Sequence, residues 1–270
     1  MRRGGKLAGS RSTQVFDDAR ALAEAAAGQV AEAIASAVEE RGACYLALAG
    51  GETPRGCYES LARPAPSRAV PWARTFVFWS DERLVPPEDP ASNYRMAREA
   101  LLDRVPIPAG QVFRPPVSAP DPATAAERYA GDLERLPKGR GGWPRFDLVL
   151  LGLGEDGHTA SLFPGDPVLK ERAATVRAVR GNKPPPDRLT FTLPVLNAAR
   201  LVVFLVQGAG KREALARVLR RDPELPAALV EPVDGELRFL VDQAALPAPP
   251  PRTCPVQGEG EFQEDTSTLT

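Results

Sequence analysis

Residues 44–54 read Cys-Tyr-Leu-Ala-Leu-Ala-Gly-Gly-Glu-Thr-Pro. This short apolar run is stopped by two glycines and followed by a helical pattern as far as Leu61, so it predicts a buried strand, a tight turn and a helix. Before it, apolar residues recur every four positions between residues 17 and 40, which predicts an amphipathic helix ending at Gly42. The segment therefore combines a helix, a strand and a second helix.

The same strand–turn–helix pattern recurs along the chain. Further apolar runs predict strands at residues 75–79, 146–151 and 201–206. Helical patterns follow at residues 92–104, 121–136 and 210–221. Because strands that alternate with helices form parallel sheets covered on both sides, we predict an α/β fold with a mostly parallel sheet and helices on both faces.

The composition indicates one globular domain. Of the 270 residues, 43% are apolar and 26% are charged, which argues against wholesale disorder and against a membrane protein. The longest apolar run is far shorter than the roughly 20 residues of a membrane-spanning helix. We predict a single α/β domain over residues 15–246, a flexible N-terminus at 1–14, and a disordered tail at 247–270, where Pro, Gly, Glu, Ser and Thr dominate.

Charge and cysteine content narrow the partners and the compartment. The net charge of −1 removes the bulk electrostatic attraction that nucleic acids or anionic membranes require. The three cysteines include no close pair, which supports neither a disulfide framework nor a zinc site. The N-terminus has no apolar stretch typical of a secretory signal. We expect a cytoplasmic protein with no nucleic-acid partner, no membrane partner and no evident obligate protein partner.

Glycine turns follow two of the predicted strands. In an open parallel sheet, ligands bind at the carboxyl ends of the strands. Gly50, Gly51 and Thr53 stand where backbone N–H groups and a helix N-terminus would attract an anion. Lys211 ends a second glycine turn, Gln-Gly-Ala-Gly-Lys, at another predicted helix start. Both turns suit phosphate, although a plain tight turn explains the first equally well.

The segment after the third predicted strand carries the only histidine in the chain. It reads Gly-Leu-Gly-Glu-Asp-Gly-His-Thr over residues 152–159, with Asp156 two residues before His158. Histidine moves protons near neutral pH, and a nearby carboxylate fixes its tautomer and raises its basicity. A lone histidine is also compatible with a structural role, but the strand-end position and the glycines favour a catalytic one.

A charged cluster and the absence of several known motifs narrow the possible chemistry of the site. Asp81, Glu82 and Arg83 follow the second predicted strand, either as site residues or as a solvated loop with an internal ion pair. One histidine and scattered cysteines do not make a usual zinc set, and no P-loop, dinucleotide fingerprint or GxSxG elbow is present. Ser161 remains a candidate hydroxyl near His158. A histidine-based reaction without a metal or other cofactor is the expectation.

Four segments together, residues 48–54, 81–86, 152–164 and 188–200, closely resemble the 6-phosphogluconolactonase family of the glucosamine/galactosamine-6-phosphate isomerase-like superfamily. The likeness runs in order from about residue 15 to residue 242, and the stretch Asp-Gly-His-Thr-Ala-Ser-Leu-Phe-Pro is its most specific part. The resemblance implies a Rossmann-like, doubly wound fold. It also implies hydrolysis of 6-phosphoglucono-δ-lactone, a sugar-phosphate lactone, in the second step of the oxidative pentose phosphate pathway.

The resemblance also implies roles for individual residues. His158 would be the general base that activates water, and Asp156 would position it. The substrate phosphate would lie over the glycine turn, and Asp81 would line the sugar side. The residues implied for phosphate binding are Gly50, Gly51, Thr53, Arg83, Arg188 and Lys211. Lys183, close to Arg188 in sequence, is expected to be an ordinary surface charge.

One departure and two rival functions stay open. Glu52 replaces the small hydroxyl residue usual at this position in the family, and so brings a carboxylate near the expected phosphate site. One rival is an amino-sugar-phosphate deaminase or isomerase of the same fold. Such deaminases carry a carboxylate shortly after the Asp-Gly-His turn, where residues 159–163 of this chain have none. The other rival is a non-catalytic sugar-phosphate-binding regulator, which has no need of His158 and Asp156.

Overall fold

The computed structural model describes residues 9–247, which form an α/β fold. The strands are β1 (Arg11–Phe16), β2 (Cys44–Leu48), β3 (Thr75–Trp79), β4 (Asp81–Arg83), β5 (Leu148–Gly152), β6 (Val176–Arg180), β7 (Asp187–Phe191), β8 (Leu201–Val206) and β9 (Glu236–Asp242). Six of them form a sheet in the order β1-β9-β8-β5-β2-β3, and its neighbouring strands are all parallel.

Helices cover both faces of the large sheet. They are α1 (Ala19–Arg41), α2 (Glu52–Leu61), α3 (Pro64–Ala69), α4 (Asn93–Ala100), α5 (Pro122–Leu133), α6 (Leu193–Asn197) and α7 (Arg212–Leu219). Short 3-10 turns lie at Trp72–Arg74, Leu102–Arg104, Ala109–Gln111, Arg140–Gly142, Pro167–Lys170, Ala209–Lys211, Pro226–Leu229 and Gln243–Ala245.

The core lies on the two faces of this sheet. Helices α1, α2 and α4 pack on one face, where Leu22, Ile34 and Tyr58 are fully buried. Helices α5, α6 and α7 pack on the other face, where Tyr129 and Leu215 are almost fully buried. The central strands are apolar throughout because both of their faces are covered. The Rossmann-like, doubly wound α/β prediction is confirmed.

A small antiparallel sheet, in the order β4-β7-β6, lies beside the carboxyl edge of the large sheet. Only Ser80 separates β3 from β4, and its backbone N–H still donates to Leu48 O of β2 at 2.9 Å. After it the chain leaves the large sheet to pair with β7. The register aligns Arg83 with Arg188, so the second sheet brings two cations together.

The structure corrects several sequence predictions. Residues 11–14 are not a flexible terminus, because they belong to β1 and pair with β9, with Arg11 opposite Leu237. The helices predicted over 92–104 and 121–136 end at Ala100 and Leu133. Residues 1–8 and the predicted tail from residue 248 onward lie outside the described residues. No helix within 9–247 is long and apolar enough to cross a membrane.

Substitutions at Gly28 within α1 and at Gly42 directly after it should have opposite effects on stability. Gly42 ends the helix with φ +80°, a conformation that L side chains rarely adopt, whereas Gly28 lies on the exposed face with nothing within 4 Å of an added Cβ. Gly42→Ala should lower the free energy of unfolding by about 1–2 kcal/mol. Gly28→Ala should raise it by about 0.5–1 kcal/mol. Urea denaturation of both variants measures this, and equal effects would contradict the assigned helix end.

Candidate active site

A cleft of about 390 Å³ opens at the carboxyl edge of the large sheet. Its walls are the turn after β2, the strand β4, the loop after β5, the start of the segment after β8, and Arg188 on β7. The cleft is lined by the predicted site residues Gly50, Gly51, Thr53, Asp81, Arg83, His158, Arg188 and Lys211. Asp156 does not line it but contacts His158. The structure therefore brings together residues from five separate segments.

His158 and Asp156 form a hydrogen-bonded pair. The Nδ1 atom of His158 lies 2.5 Å from Oδ1 of Asp156, and the backbone N–H of His158 donates to the same oxygen at 3.2 Å. Assigning the Nδ1 proton to this hydrogen bond leaves Nε2 as an acceptor. The imidazole also packs against the Phe163 ring, with centroids 5.0 Å apart. The hydrogen bond and the ring contact therefore fix the orientation of the imidazole, with Nε2 left without a bond to Asp156.

The loop that carries the pair is a tight backbone turn. Gly154 donates its N–H to His158 O at 2.8 Å, and Gly157 donates to Gly154 O at 3.1 Å. Gly157 has φ +82°, and Ala160 beyond it has φ +48°, which is rare for a side-chain-bearing residue. The Thr159 hydroxyl donates to Gly152 O at 2.9 Å. These contacts determine the direction of the imidazole.

The electrostatics keep Asp156 available as an anion. Its partial burial acts to raise its pKa, but the hydrogen bonds and charge of His158 outweigh this and lower the pKa of Asp156 below its ordinary value. Asp156 is therefore ionised at neutral pH, where it can stabilise a positive charge that forms on the imidazole.

Two guanidinium groups, from β4 and β7, also line the cleft. Arg83 donates from Nη1 to Ala91 O at 2.7 Å, while its buried Nε has no hydrogen-bond partner. Arg188, only 6% exposed, donates to the carbonyls of Pro185 and Lys183 at 3.2 and 3.1 Å. Burial and the charge of Arg83 lower the pKa of Arg188. Within residues 9–247 neither group has a carboxylate within 4 Å, so both remain available to an anionic ligand.

A third cation lies on the loop after β8. Lys211 Nζ is 3.9 Å from Glu155 Oε1, a long contact in which the Glu155 side chain is 67% exposed. The buried carboxylate of Asp242 anchors this loop. It accepts hydrogen bonds from Gly208 N at 3.0 and 3.1 Å and from Ala245 N at 2.9 Å. The sequence did not single out Asp242, since it lies in a strand that we did not predict.

The glycine turn approaches other parts of the chain closely. A Cβ on Gly50 would lie 1.9 Å from Oδ1 of Asn93, and Gly51 has φ +105° at the start of α2. Both positions therefore require glycine. Glu52 is the first residue of α2, is exposed and also lines the cleft. A carboxylate thus lies at the entrance of the turn.

Asp81 and Glu82 are buried, which rules out a solvated loop at this position. Asp81 accepts from the Ser161 hydroxyl at 2.7 Å and, more weakly, from Asn93 Nδ2 at 3.4 Å. Asn93 also donates to Asp81 O at 2.9 Å. Burial raises the pKa of Glu82 to about 7, although backbone hydrogen bonds oppose the rise. The sequence did not predict Asn93 as a cleft residue, because it lies at the start of the helical pattern over residues 92–104 and has no other signal.

The described residues contain no group of three or more His, Cys, Asp or Glu side chains that could hold a metal ion. The cleft instead combines one imidazole, its carboxylate partner, three cations and a turn rich in free backbone N–H groups. This arrangement suits an anionic substrate whose other end reacts with a water molecule.

Comparisons with known proteins agree with this arrangement. A model of the family described as glucosamine-6-phosphate isomerases/6-phosphogluconolactonase matches residues 17–239. A 6-phosphogluconolactonase from Synechocystis is 47% identical over 230 residues, which cover 83% of this chain and 92% of that protein. The human 6-phosphogluconolactonase is 43% identical, covering 80% of this chain and 88% of that protein. The solved 6-phosphogluconolactonase of Trypanosoma brucei aligns with a TM-score of 0.75 at 32% identity, covering 87% and 97%. The resemblance seen in the sequence is confirmed.

Gly154→Ala should displace the imidazole. An added Cβ would lie 2.1 Å from His158 Nδ1 and 2.6 Å from Asp156 Oδ1, so the hydrogen-bonded pair has to separate. Because the chain contains one histidine, its imidazole ¹⁵N signals in an NMR spectrum need no assignment, and the Nδ1 signal should shift. Gly110→Ala is the control, since its Cβ meets nothing within 4 Å. An unchanged Nδ1 signal in Gly154→Ala would show that the loop is not packed as described.

Proposed function

The chain belongs to the family of glucosamine-6-phosphate isomerases and 6-phosphogluconolactonases, and we propose that its cleft hydrolyses 6-phosphoglucono-1,5-lactone with His158 as the general base. The enzyme predicted from the sequence is confirmed, since several proteins named 6-phosphogluconolactonase are 40–47% identical over most of both chains. The observation that carries the catalytic proposal is the His158–Asp156 pair facing a cleft with three cations.

The phosphate of the substrate binds on the cationic side of the cleft. Arg83 and Arg188 have no carboxylate partner among the described residues and so offer guanidinium N–H groups, and Lys211 adds a third charge. Gly50, Gly51 and Thr53 contribute backbone N–H groups at the start of α2. Anchoring the phosphate there holds the lactone ring across the cleft, which converts hydrolysis into an oriented reaction.

His158 then activates the water. As water attacks the lactone carbonyl carbon, a proton passes from the water to Nε2, and ionised Asp156 stabilises the imidazolium through Nδ1–H. Collapse of the tetrahedral carbon breaks its bond to the ring oxygen, which takes the proton from His158 and becomes a hydroxyl group. The other product group is a carboxylic acid, which ionises. No covalent enzyme intermediate forms.

Asp81 lies on the sugar side of the cleft. Its carboxylate is held by the Ser161 hydroxyl at 2.7 Å, and its edge in the cleft can accept a hydrogen bond from a sugar hydroxyl. We propose that Asp81 orients the ring and that the reaction needs no metal ion or other cofactor.

The two rival functions make different demands on the same cleft. A deaminase of this fold carries a carboxylate shortly after the Asp-Gly-His turn, whereas Thr159 and Ser161 here use their hydroxyls to bind Gly152 O and Asp81. A purely binding protein does not need the aligned His158–Asp156 pair. Ammonia release from glucosamine 6-phosphate would identify a deaminase. Tight phosphosugar binding without turnover would identify a binding protein.

The proposed setting is the oxidative pentose phosphate pathway, where this hydrolysis is the second step. The buried free thiols of Cys44 and Cys57 suit a reducing compartment such as the cytosol. The proposed partner is the sugar-phosphate lactone alone, with no nucleic acid, membrane or obligate protein partner.

His158→Ala should lower kcat by about 10²–10⁴-fold, because it removes general-base catalysis. The assay is acid release from freshly generated lactone with spontaneous hydrolysis subtracted, run with and without a chelator. Circular dichroism should be unchanged, and the wild-type rate should not respond to the chelator. An active variant would refute the assignment of the base, and chelator-sensitive wild type would refute the metal-free reaction.

Lys211→Ala should act mainly on binding. Loss of one charge-assisted contact to phosphate is worth about 1.5–3 kcal/mol, so KM should rise by about 10- to 100-fold while kcat changes far less. Lys170→Ala, at an exposed position away from the cleft, is the matched control. A wild-type KM in Lys211→Ala would remove this lysine from the phosphate site.

A further inference from the structure

Glu82 is a buried carboxylate that the proposed reaction does not use. It is 1% exposed, and no Lys or Arg side chain of the described residues forms an ion pair with it within 4 Å. A carboxylate in such a place is costly unless hydrogen-bond donors satisfy it. Its local contacts must therefore supply those donors.

Each oxygen of Glu82 accepts two hydrogen bonds. Oε1 accepts from the backbone N–H groups of Arg83 at 2.7 Å and Asn93 at 2.8 Å. Oε2 accepts from Tyr94 N at 2.7 Å and from the Ser92 hydroxyl at 3.2 Å. All four partners are donors, so the hydrogen bonds favour the ionised, acceptor-only form and oppose the burial that raises the pKa of Glu82 to about 7. The negative charge also lies at the N-terminus of α4, where the helix dipole favours it.

These bonds connect the two ends of the segment between β4 and α4. Arg83 at the end of β4 and Asn93 at the start of α4 both line the cleft, and Glu82 Oε1 bridges their backbone N–H groups. Arg83 also reaches across to Ala91 O, and Asn93 reaches back to Asp81 O. The position of these cleft residues therefore depends on the bridge made by Glu82.

We propose that Glu82 is a positioning residue that holds Arg83 and Asn93 in place for the substrate phosphate. This inference rests on the proposed function of the same cleft. Glu82 does not contact the cleft itself or the His158 loop, so its loss should affect binding of the phosphate rather than the proton transfer.

Glu82→Gln tests the bridge with little change in volume. Glutamine keeps one acceptor oxygen but turns an NH₂ group toward N–H donors, so at least one backbone donor of Arg83, Asn93 or Tyr94 loses its partner. We expect KM for the lactone to rise by about tenfold, with kcat within about twofold of wild type. The dissociation constant of inorganic phosphate, measured by calorimetry, should rise in parallel.

Asp147→Asn is the matched control. Asp147 is also a buried carboxylate, 8% exposed, that accepts from Arg41 Nε at 2.8 Å and Tyr45 N at 2.9 Å. It lies at the amino end of β5, at the opposite edge of the sheet from the cleft. Asp147→Asn should lower Tm without changing KM or the dissociation constant of phosphate. An equal rise in KM in both variants, or none in Glu82→Gln, would overturn the proposal.

Ser92→Ala covers the case in which Glu82→Gln does not fold. It removes one of the four hydrogen bonds, together with the N-cap bond from Arg95 N to the Ser92 hydroxyl at 3.1 Å, and leaves the carboxylate, so KM and the phosphate dissociation constant should rise about two- to threefold. A fall in Tm with both constants unchanged would mean that the network is only structural. Phosphate calorimetry needs no turnover, so a wild-type protein that binds phosphate without hydrolysing the lactone would contradict the proposed function while leaving the role of Glu82 testable.

Discussion

The structure depends on the hydrogen-bond partners that the backbone finds where the parallel strands end. At that edge the ladder stops, and the exposed N–H and C=O groups need other partners. Tyr58 OH accepts from Ala49 N and donates to Ala49 O, both at 2.9 Å, at the end of β2. Tyr129 OH does the same for Trp79 at the end of β3, at 2.7 and 3.1 Å. Side chains from the core thus complete the strand ends and leave the glycine loops free to form the cleft.

The central strands, the fold class and the main helices could be predicted from sequence because they follow simple periodicities. The apolar runs of β2, β3 and β8 are long enough to indicate burial on both faces. The first four residues of the edge strand β1 are polar, so the sequence predicts a flexible terminus there, since nothing local shows that β9 will pair with them. Strand β9 was missed for the same reason, and its end carries Asp242.

The candidate site also contains some residues that the sequence predicts and others that it does not. Glycines and the single histidine mark two of the loops, and the family resemblance implies Asp81, Arg83 and Arg188. The predicted site residues other than Asp156 line one cleft, and Asp156 is hydrogen-bonded to His158. Asn93 has no such signal, and the charge of Glu82 does not reveal its task, because both act through hydrogen bonds between β4 and the start of α4. Packing determines which charges of the Asp-Glu-Arg cluster face the cleft and which one supports the backbone. A charge pattern alone does not distinguish these tasks.

The pairing of the first and last described strands has a consequence for synthesis on the ribosome. Strand β9 inserts between β8 and β1, so both of these strands keep an open edge until almost the entire domain has emerged. Joining the two ends of the chain is also an entropically expensive closure, which slows folding. Asp242, which anchors the loop of Lys211, arrives with this last strand. A nascent chain therefore completes the loop of Lys211 last, and a chain that stops before β9 lacks the carboxylate that anchors this loop.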